Sequence, residues 1–175
     1  MTELIAPTTR LHAAWLAARD DWGRGAAQPG SGLGEDDDVD SAAGFAAWVA
    51  GLHAQRDESR PPPQGRVPAT YWWIAEDDTI LGAITLRHRL NPKLLEAGGH
   101  IGYGVRPAAR GRGLATWALR EVLRAAADLG LDRVMLSCDE RNPASARVIE
   151  RCGGVLEDVR DTWLGHCRRY WIDLP

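Results

Sequence analysis

Apolar residues recur along the chain at two different periods, and the change between them falls near residue 70. The run Thr2 to Ala6 predicts a short first strand. Beyond Pro7-Thr8-Thr9, Leu11, Trp15, Leu16 and Ala18 lie at helical spacing and predict a helix that ends near Trp22-Gly23. Residues 23–40 are Gly- and Ser-rich and then acidic, the composition of a flexible loop. Ser41 is placed to cap a second helix carrying Phe45, Trp48, Val49 and Leu52, and residues 57–68, with Pro61-Pro62-Pro63, predict a second flexible loop.

Past residue 70 the pattern alternates. Thr70–Glu76, a turn at Asp77-Asp78 and Ile80–Arg89 read as a hairpin, which Asn91-Pro92 breaks. Leu94-Leu95-Glu96 allows one helical turn, and Gly99–Val105 (GHIGYGV) is a glycine-rich strand. Leu114, Ala118, Leu119, Val122, Leu123 and Ala126 mark one face of a helix over about Leu114 to Leu129, with Gly130 as its stop. Arg133–Cys138 is a strand. Asn142-Pro143 opens a helix that Gly153-Gly154 closes, and Val155–Asp161 and Cys167–Asp173 complete the set. This order, β-α-α-β-β-β-α-β-α-β-β, predicts an α/β (α+β) fold: one domain over residues 1–175, with a mixed central sheet of about seven strands flanked by about four helices.

Composition narrows the function classes. The chain has 175 residues and a net charge of −3, so it lacks the basic profile of a dedicated nucleic-acid binder. No apolar run approaches a membrane span, and MTELIAPTTR lacks the pattern of a secretory signal, so a cytoplasmic location is expected. Cys138, Cys152 and Cys167 form no C-x-x-C pair and no even set; free thiols and no metal are expected. Lys93 is the only lysine; the other 20 basic residues are arginines. Residues 1–68 hold 6 basic and 10 acidic side chains, residues 69–175 hold 15 and 14. The acidic part includes the run Glu35–Asp40, read as a solvated loop, or as a lure for a cationic amine if it is ordered over a cleft.

The strongest chemical signal is Arg106–Thr116, RPAARGRGLAT, between a strand and a helix. Its glycines allow backbone N–H groups to turn toward one point, and the helix start adds unpaired N–H groups and the positive end of its dipole. Such a turn suits a pyrophosphate, with Arg110 and Arg112 adding charge and planar donors. It is not a P-loop, having no lysine, nor a dinucleotide fingerprint, whose third glycine is replaced by Thr116.

Arg110-x-x-Gly113-x-Ala115 resembles the acetyl-CoA pyrophosphate motif (Q/R-x-x-G-x-G/A) of the GCN5-related N-acetyltransferases, the GNAT superfamily. Ile101-Gly102-Tyr103-Gly104-Val105-Arg106-Pro107 is similar to that family's fourth strand and its V-x-P ending. Asn142-x-x-Ser145 with Val148-Ile149-Glu150-Arg151 and Gly153-Gly154 resembles its N-x-x-[AS] helix. The element order agrees over nearly the whole chain, with the motifs confined to residues 70–175. Arg87–Asn91 and Gly98–Pro107 also look like an uncharacterised bacterial branch of predicted acetyltransferases.

The resemblance implies a fourth strand splayed from the fifth, acetyl-CoA as co-substrate, and acetyl transfer to a primary amine of a small molecule or peptide by direct attack in a ternary complex. It places the pantetheine arm on Tyr103, Gly104 and Val105, and the pyrophosphate on Arg110, Gly111, Arg112, Gly113, Leu114, Ala115 and Thr116, with Asn142 and Ser145 nearby. His100 stands where many relatives carry a glutamate base, and a pKa near 6.5 suits proton removal; a structural histidine bonded to backbone is the other reading, and both stay open. His88 reads as an ordinary strand histidine. Many relatives use a tyrosine to protonate the departing thiolate, and the matching position here is Ile149, which cannot donate. Ser145, Tyr103, Cys138 or water would then substitute, or the thiolate leaves without a dedicated acid. A non-catalytic acyl-CoA-binding or sensing module is the competing function. Dimerisation through the terminal strands is common in similar proteins.

Overall fold

The computed structural model describes every residue except Gln64, which falls inside the predicted loop 57–68. Seven strands occur in the predicted order: β1 (Thr2–Ile5), β2 (Ala69–Glu76), β3 (Thr79–Arg87), β4 (Ile101–Val105), β5 (Arg133–Asp139), β6 (Val155–Thr162) and β7 (Gly165–Asp173). The helices are α1 (His12–Trp22), α2 (Ala42–Ala54), the single-turn α3 (Pro92–Glu96), α4 (Leu114–Asp128) and α5 (Pro143–Arg151). Asn91 and Asn142 both cap helices that have proline in the first turn, as their sequence positions predict.

The strands form two antiparallel ladders, β1-β2-β3-β4 and β5-β7-β6. The ladders meet at the start of β4 and then part, which is the splay expected of the fourth and fifth strands. One residue holds the meeting point. His100 N–H donates to the Met135 carbonyl at 2.8 Å, and Met135 N–H donates back to His100 Nδ1 at 2.9 Å. On its other side the His100 carbonyl accepts Arg87 N–H at 2.7 Å. Gly99 makes this approach possible: its φ is +61°, and a Cβ there would lie 2.2 Å from the Met135 carbonyl oxygen.

Each face of the strands has its own core. On one, α4 and α5 bury Leu119, Val122 and Ile149 against Ile84, Leu136 and Tyr170. On the other, α1 and α2 contribute Trp15, Phe45 and Trp48, which cluster with Trp73 of β2. Trp15, Trp48 and Trp73 are therefore core side chains.

Residues 23–41 contain no helix or strand, yet they are fastened down. Thr85 Oγ1 donates to the Gly30 carbonyl, Ser31 and Val39 are buried, and Asp40 pairs with buried Arg19 at 2.9 Å. The acidic run is used within this segment. Asp37 accepts Gly34 N–H, and Asp38 accepts from the backbone of Asp40 and Ser41 and from the Ser41 hydroxyl. Ser41 in turn accepts Gly44 N–H at 3.0 Å as the α2 cap. Ser41→Ala is expected to cost about 1 kcal/mol, read as a lowered denaturant midpoint at unchanged slope.

The β6–β7 hairpin is tied to α3. Buried Arg169 donates to the carbonyls of Leu95 and Glu96 while pairing with Glu157 and Asp158. Trp163 Nε1 donates to the Lys93 carbonyl at 2.8 Å, and the Lys93 ammonium lies 4.2 Å from the centre of the Trp163 ring.

Candidate active site

The parting of β4 from β5 opens a cavity of about 500 Å³. Tyr103, Gly104 and Val105 of β4 form one wall, the 109–116 loop and α4 start form the mouth, and α5 closes the far side with Asn142, Ser145 and Arg147 among others. Of the residues predicted to hold a cofactor, all but Arg112 line it.

The mouth is built from backbone. Gly111 and Gly113 have φ of +79° and +77°, left-handed conformations that glycine adopts without strain. No side chain caps α4, and among the described residues the amides of Gly111 through Thr116 have no protein acceptor; the first helical bond is Trp117 N–H to the Gly113 carbonyl. These N–H groups, with the positive end of a 15-residue helix behind them, make a concave donor surface for an anion.

The arginines divide differently from expectation. Arg112 turns away and pairs with Glu76 at 2.6 Å, holding that carboxyl below its usual range, with a further hydrogen bond from Thr2. Arg106 pairs with Asp21, and Arg124 with Glu121. Arg110 stays at the cavity, its Nε on the Val105 carbonyl and its guanidinium 5.0 Å from the centre of the Trp22 ring. Arg147 and Arg151 join it from α5. Sequence reasoning missed these two; their spacing of four on a short helix was the available signal. Trp22, the last residue of α1, also lines the cavity.

Hydroxyl and amide side chains also line the cavity. Tyr103 OH lies 2.7 Å from Ser145 Oγ and 3.3 Å from the Ser145 carbonyl. Burial raises the Tyr103 phenol well above its ordinary pKa, although the Ser145 hydrogen bond works the other way. Asn142 lines the cavity and also caps α5, its Oδ1 accepting Ser145 N–H at 3.2 Å. Ile149 is fully buried in the core. Burial pushes the Cys138 thiol up to about 11, and Cys138 does not line the cavity. All three cysteines are free thiols.

His100 is not among the lining residues. It is 5% exposed, and its pKa is lowered to about 4 by burial, with the nearby Arg87 charge adding to the effect. Because Nδ1 accepts the Met135 N–H, the remaining proton sits on Nε2, so the ring has no free lone pair for an ammonium proton. This geometry is that of the structural reading of His100. His88 is likewise engaged, its Nε2 at 2.8 Å from Thr70 Oγ1 and its Nδ1 at 2.8 Å from Glu58. Among the described residues no group of three or more His, Cys, Asp or Glu side chains could hold a metal, and no helix is long and apolar enough to cross a membrane.

A family model described as an acetyltransferase (GNAT) domain matches residues 35–155. Among solved structures, a ribosomal L7/L12 alpha-N-protein acetyltransferase, RimL, in complex with coenzyme A aligns over 99% of this chain and 94% of its own, with TM-score 0.72 and 18% identity. The microcin C7 self-immunity acetyltransferase MccE, in complex with acetyl-CoA and AMP, covers 99% and 92% with TM-score 0.67 and 15% identity. A spermidine N-acetyltransferase chimera from Vibrio cholerae and its human counterpart covers 98% and 95% with TM-score 0.63 and 14% identity. No curated protein matches the sequence.

Proposed function

The chain belongs to the GNAT acetyltransferases, and from that premise we propose that it moves an acetyl group from acetyl-CoA to a primary amine by direct attack in a ternary complex. The observation that carries this reading is the presence, along one cavity, of backbone amides at Gly111 and Gly113 to Thr116 with no acceptor among the described residues and of the part-buried Tyr103 hydroxyl. Acetyl-CoA supplies the activated acetyl group as a thioester. The pyrophosphate fits the amides of Gly111 to Thr116, with Arg110, Arg147 and Arg151 around it. The acyl arm fits along Tyr103, Gly104 and Val105, whose backbone is released from ladder pairing on the β5 side.

In the reaction the amine nitrogen bonds to the acetyl carbon, the carbon–sulfur bond breaks, the amine loses a proton and the thiolate gains one. Tyr103 is the donor for the thiolate, with Ser145 Oγ orienting its hydroxyl. With both nearby histidine rings engaged, the amine reaches the site neutral and its proton leaves to solvent. The relatives named above act, by their names, on a protein N-terminus and on spermidine, which supports an amine acceptor.

The deciding measurement follows free-thiol release from acetyl-CoA over a panel of amines, beside calorimetric binding of CoA. Release on at least one amine is expected. Tight CoA binding with no release on any amine would replace this reading with a non-catalytic acyl-CoA sensor. Ala115→Asp places a carboxylate among the mouth amides and is expected to weaken CoA binding tenfold or more, roughly, at unchanged fold; equal affinity would remove the mouth from the cofactor site.

A further inference from the structure

The cavity is charged in one sense only. Its lining includes Arg110, Arg147 and Arg151 and, among the described residues, no Asp or Glu. By contrast Arg106, Arg112 and Arg124, from the neighbouring loop and helix, each hold a carboxylate. Glu150, which stands between Arg147 and Arg151 in the sequence, accepts the Tyr170 hydroxyl at 2.9 Å and pairs with neither. Like charges four residues apart on a helix oppose its stability, so these two arginines are held at the cavity without any internal counter-charge.

Their place is as telling as their isolation. The end of α5 is fastened to the start of α4, where Cys152 Sγ donates to the Thr116 carbonyl at 3.7 Å. Thr116 carries the last of the mouth amides, so the last turn of α5, with Arg151, stands beside the rim. Arg120, one turn further along α4, comes within hydrogen-bond reach of the same Cys152 thiol and has no carboxylate partner among the described residues. Arg110 belongs to the other wall, where its Nε is tied to the Val105 carbonyl. Arg147 and Arg151 are about 6 Å apart along the helix axis, a spacing across which two guanidinium groups can grip one phosphate.

The pyrophosphate does not use up this charge. Its two negative charges face the mouth amides, the positive end of α4 and Arg110. A CoA thioester carries another anionic group one ribose away, the 3′-phosphate, a monoester with a charge of about −1.5 to −2 at pH 7. We propose that Arg147 and Arg151, with Arg120 beside them, form a subsite for that phosphomonoester and select the donor by it. Free CoA thioesters carry the group, whereas dephospho-CoA thioesters and acyl groups on a protein-bound phosphopantetheine lack it. The inference rests on the cofactor half of the reading above and is independent of the acceptor.

The test is calorimetric binding of CoA and of 3′-dephospho-CoA at physiological ionic strength, which needs no turnover. The wild-type protein is expected to bind CoA about tenfold or more tightly than dephospho-CoA. In the double variant Arg147→Gln/Arg151→Gln the gap closes to about twofold, through weaker CoA binding at nearly unchanged affinity for dephospho-CoA. Arg124→Gln, which removes the same kind of charge from α4 outside the cavity, leaves the gap as it is. Equal affinity of the wild type for the two ligands overturns the subsite, as does a full gap in the double variant. A gap that Arg124→Gln closes as far as the double variant does also overturns it, because the preference then comes from the general field of the protein. Should the double variant not fold, the two single variants decide by the same criterion. Binding of neither ligand overturns the cofactor reading and this subsite with it. A full gap with no thiol release on any amine leaves the subsite standing and removes acetyl transfer alone.

Discussion

Tyr103→Phe is expected to slow acetyl transfer about 100-fold at saturating acetyl-CoA, with CoA affinity little changed. The substitution removes one oxygen and keeps the ring that packs against the core between β4 and α5. What is lost is the hydroxyl at 2.7 Å from Ser145 Oγ, the donor proposed for the leaving thiolate. The raised pKa keeps Tyr103 protonated throughout the neutral and mildly alkaline range. Activity should therefore show no alkaline limb from Tyr103 below about pH 9. Ser145→Ala only frees the hydroxyl to rotate and should cost a few-fold. A Tyr103→Phe protein with unaltered kcat would mean that the thiolate departs unaided.

The second large effect is on stability, and it runs through His100. Its pKa of about 4 in the folded protein lies below the unfolded value near 6.5. The unfolded chain therefore binds the proton more readily, so stability is full above about pH 6.5 and is lost as the pH falls toward 4. The loss across that window should be roughly 2–3 kcal/mol. Protonation also converts Nδ1 from acceptor to donor and sets it against the Met135 N–H, breaking one of the two bonds between His100 and Met135 that join the ladders. Denaturant titrations at pH 7.5 and 5 should show this dependence in the wild type and a flatter one in His100→Gln, whose side-chain oxygen can still accept from Met135. His100→Leu leaves the Met135 N–H buried without a partner and should cost about 1–3 kcal/mol at pH 7.5. Equal pH dependence in all three proteins would exclude His100 as its source.

These two residues show what was legible beforehand. The helices and strands follow apolar spacing, and the glycine-arginine loop follows local backbone chemistry, so both could be read from short windows of sequence. Tyr103 and Ser145 are 42 residues apart, and His100 and Met135 are 35 apart. Their contacts depend on how the two ladders are set beside each other, for which no local pattern exists. The role of His100 turned on which atom its ring nitrogen meets, a bond between side chain and backbone that leaves no periodic trace. The same holds for residues 23–40. Their composition reads as loop, but the bonds of Thr85 to Gly30 and of Asp40 to Arg19 span distant elements.

The solitary lysine has a consequence for an enzyme that handles a reactive thioester. Acetyl-CoA acylates accessible amines slowly without any catalyst, and a phosphate cradle built on lysines would be worn away by its own substrate. Here the cavity's cations are Arg110, Arg147 and Arg151. A guanidinium stays protonated and is no nucleophile at neutral pH. Lys93, the one ε-amine, sits against Trp163 outside the cavity. Prolonged exposure to the donor can therefore mark at most this one side-chain amine, which lies outside the cavity.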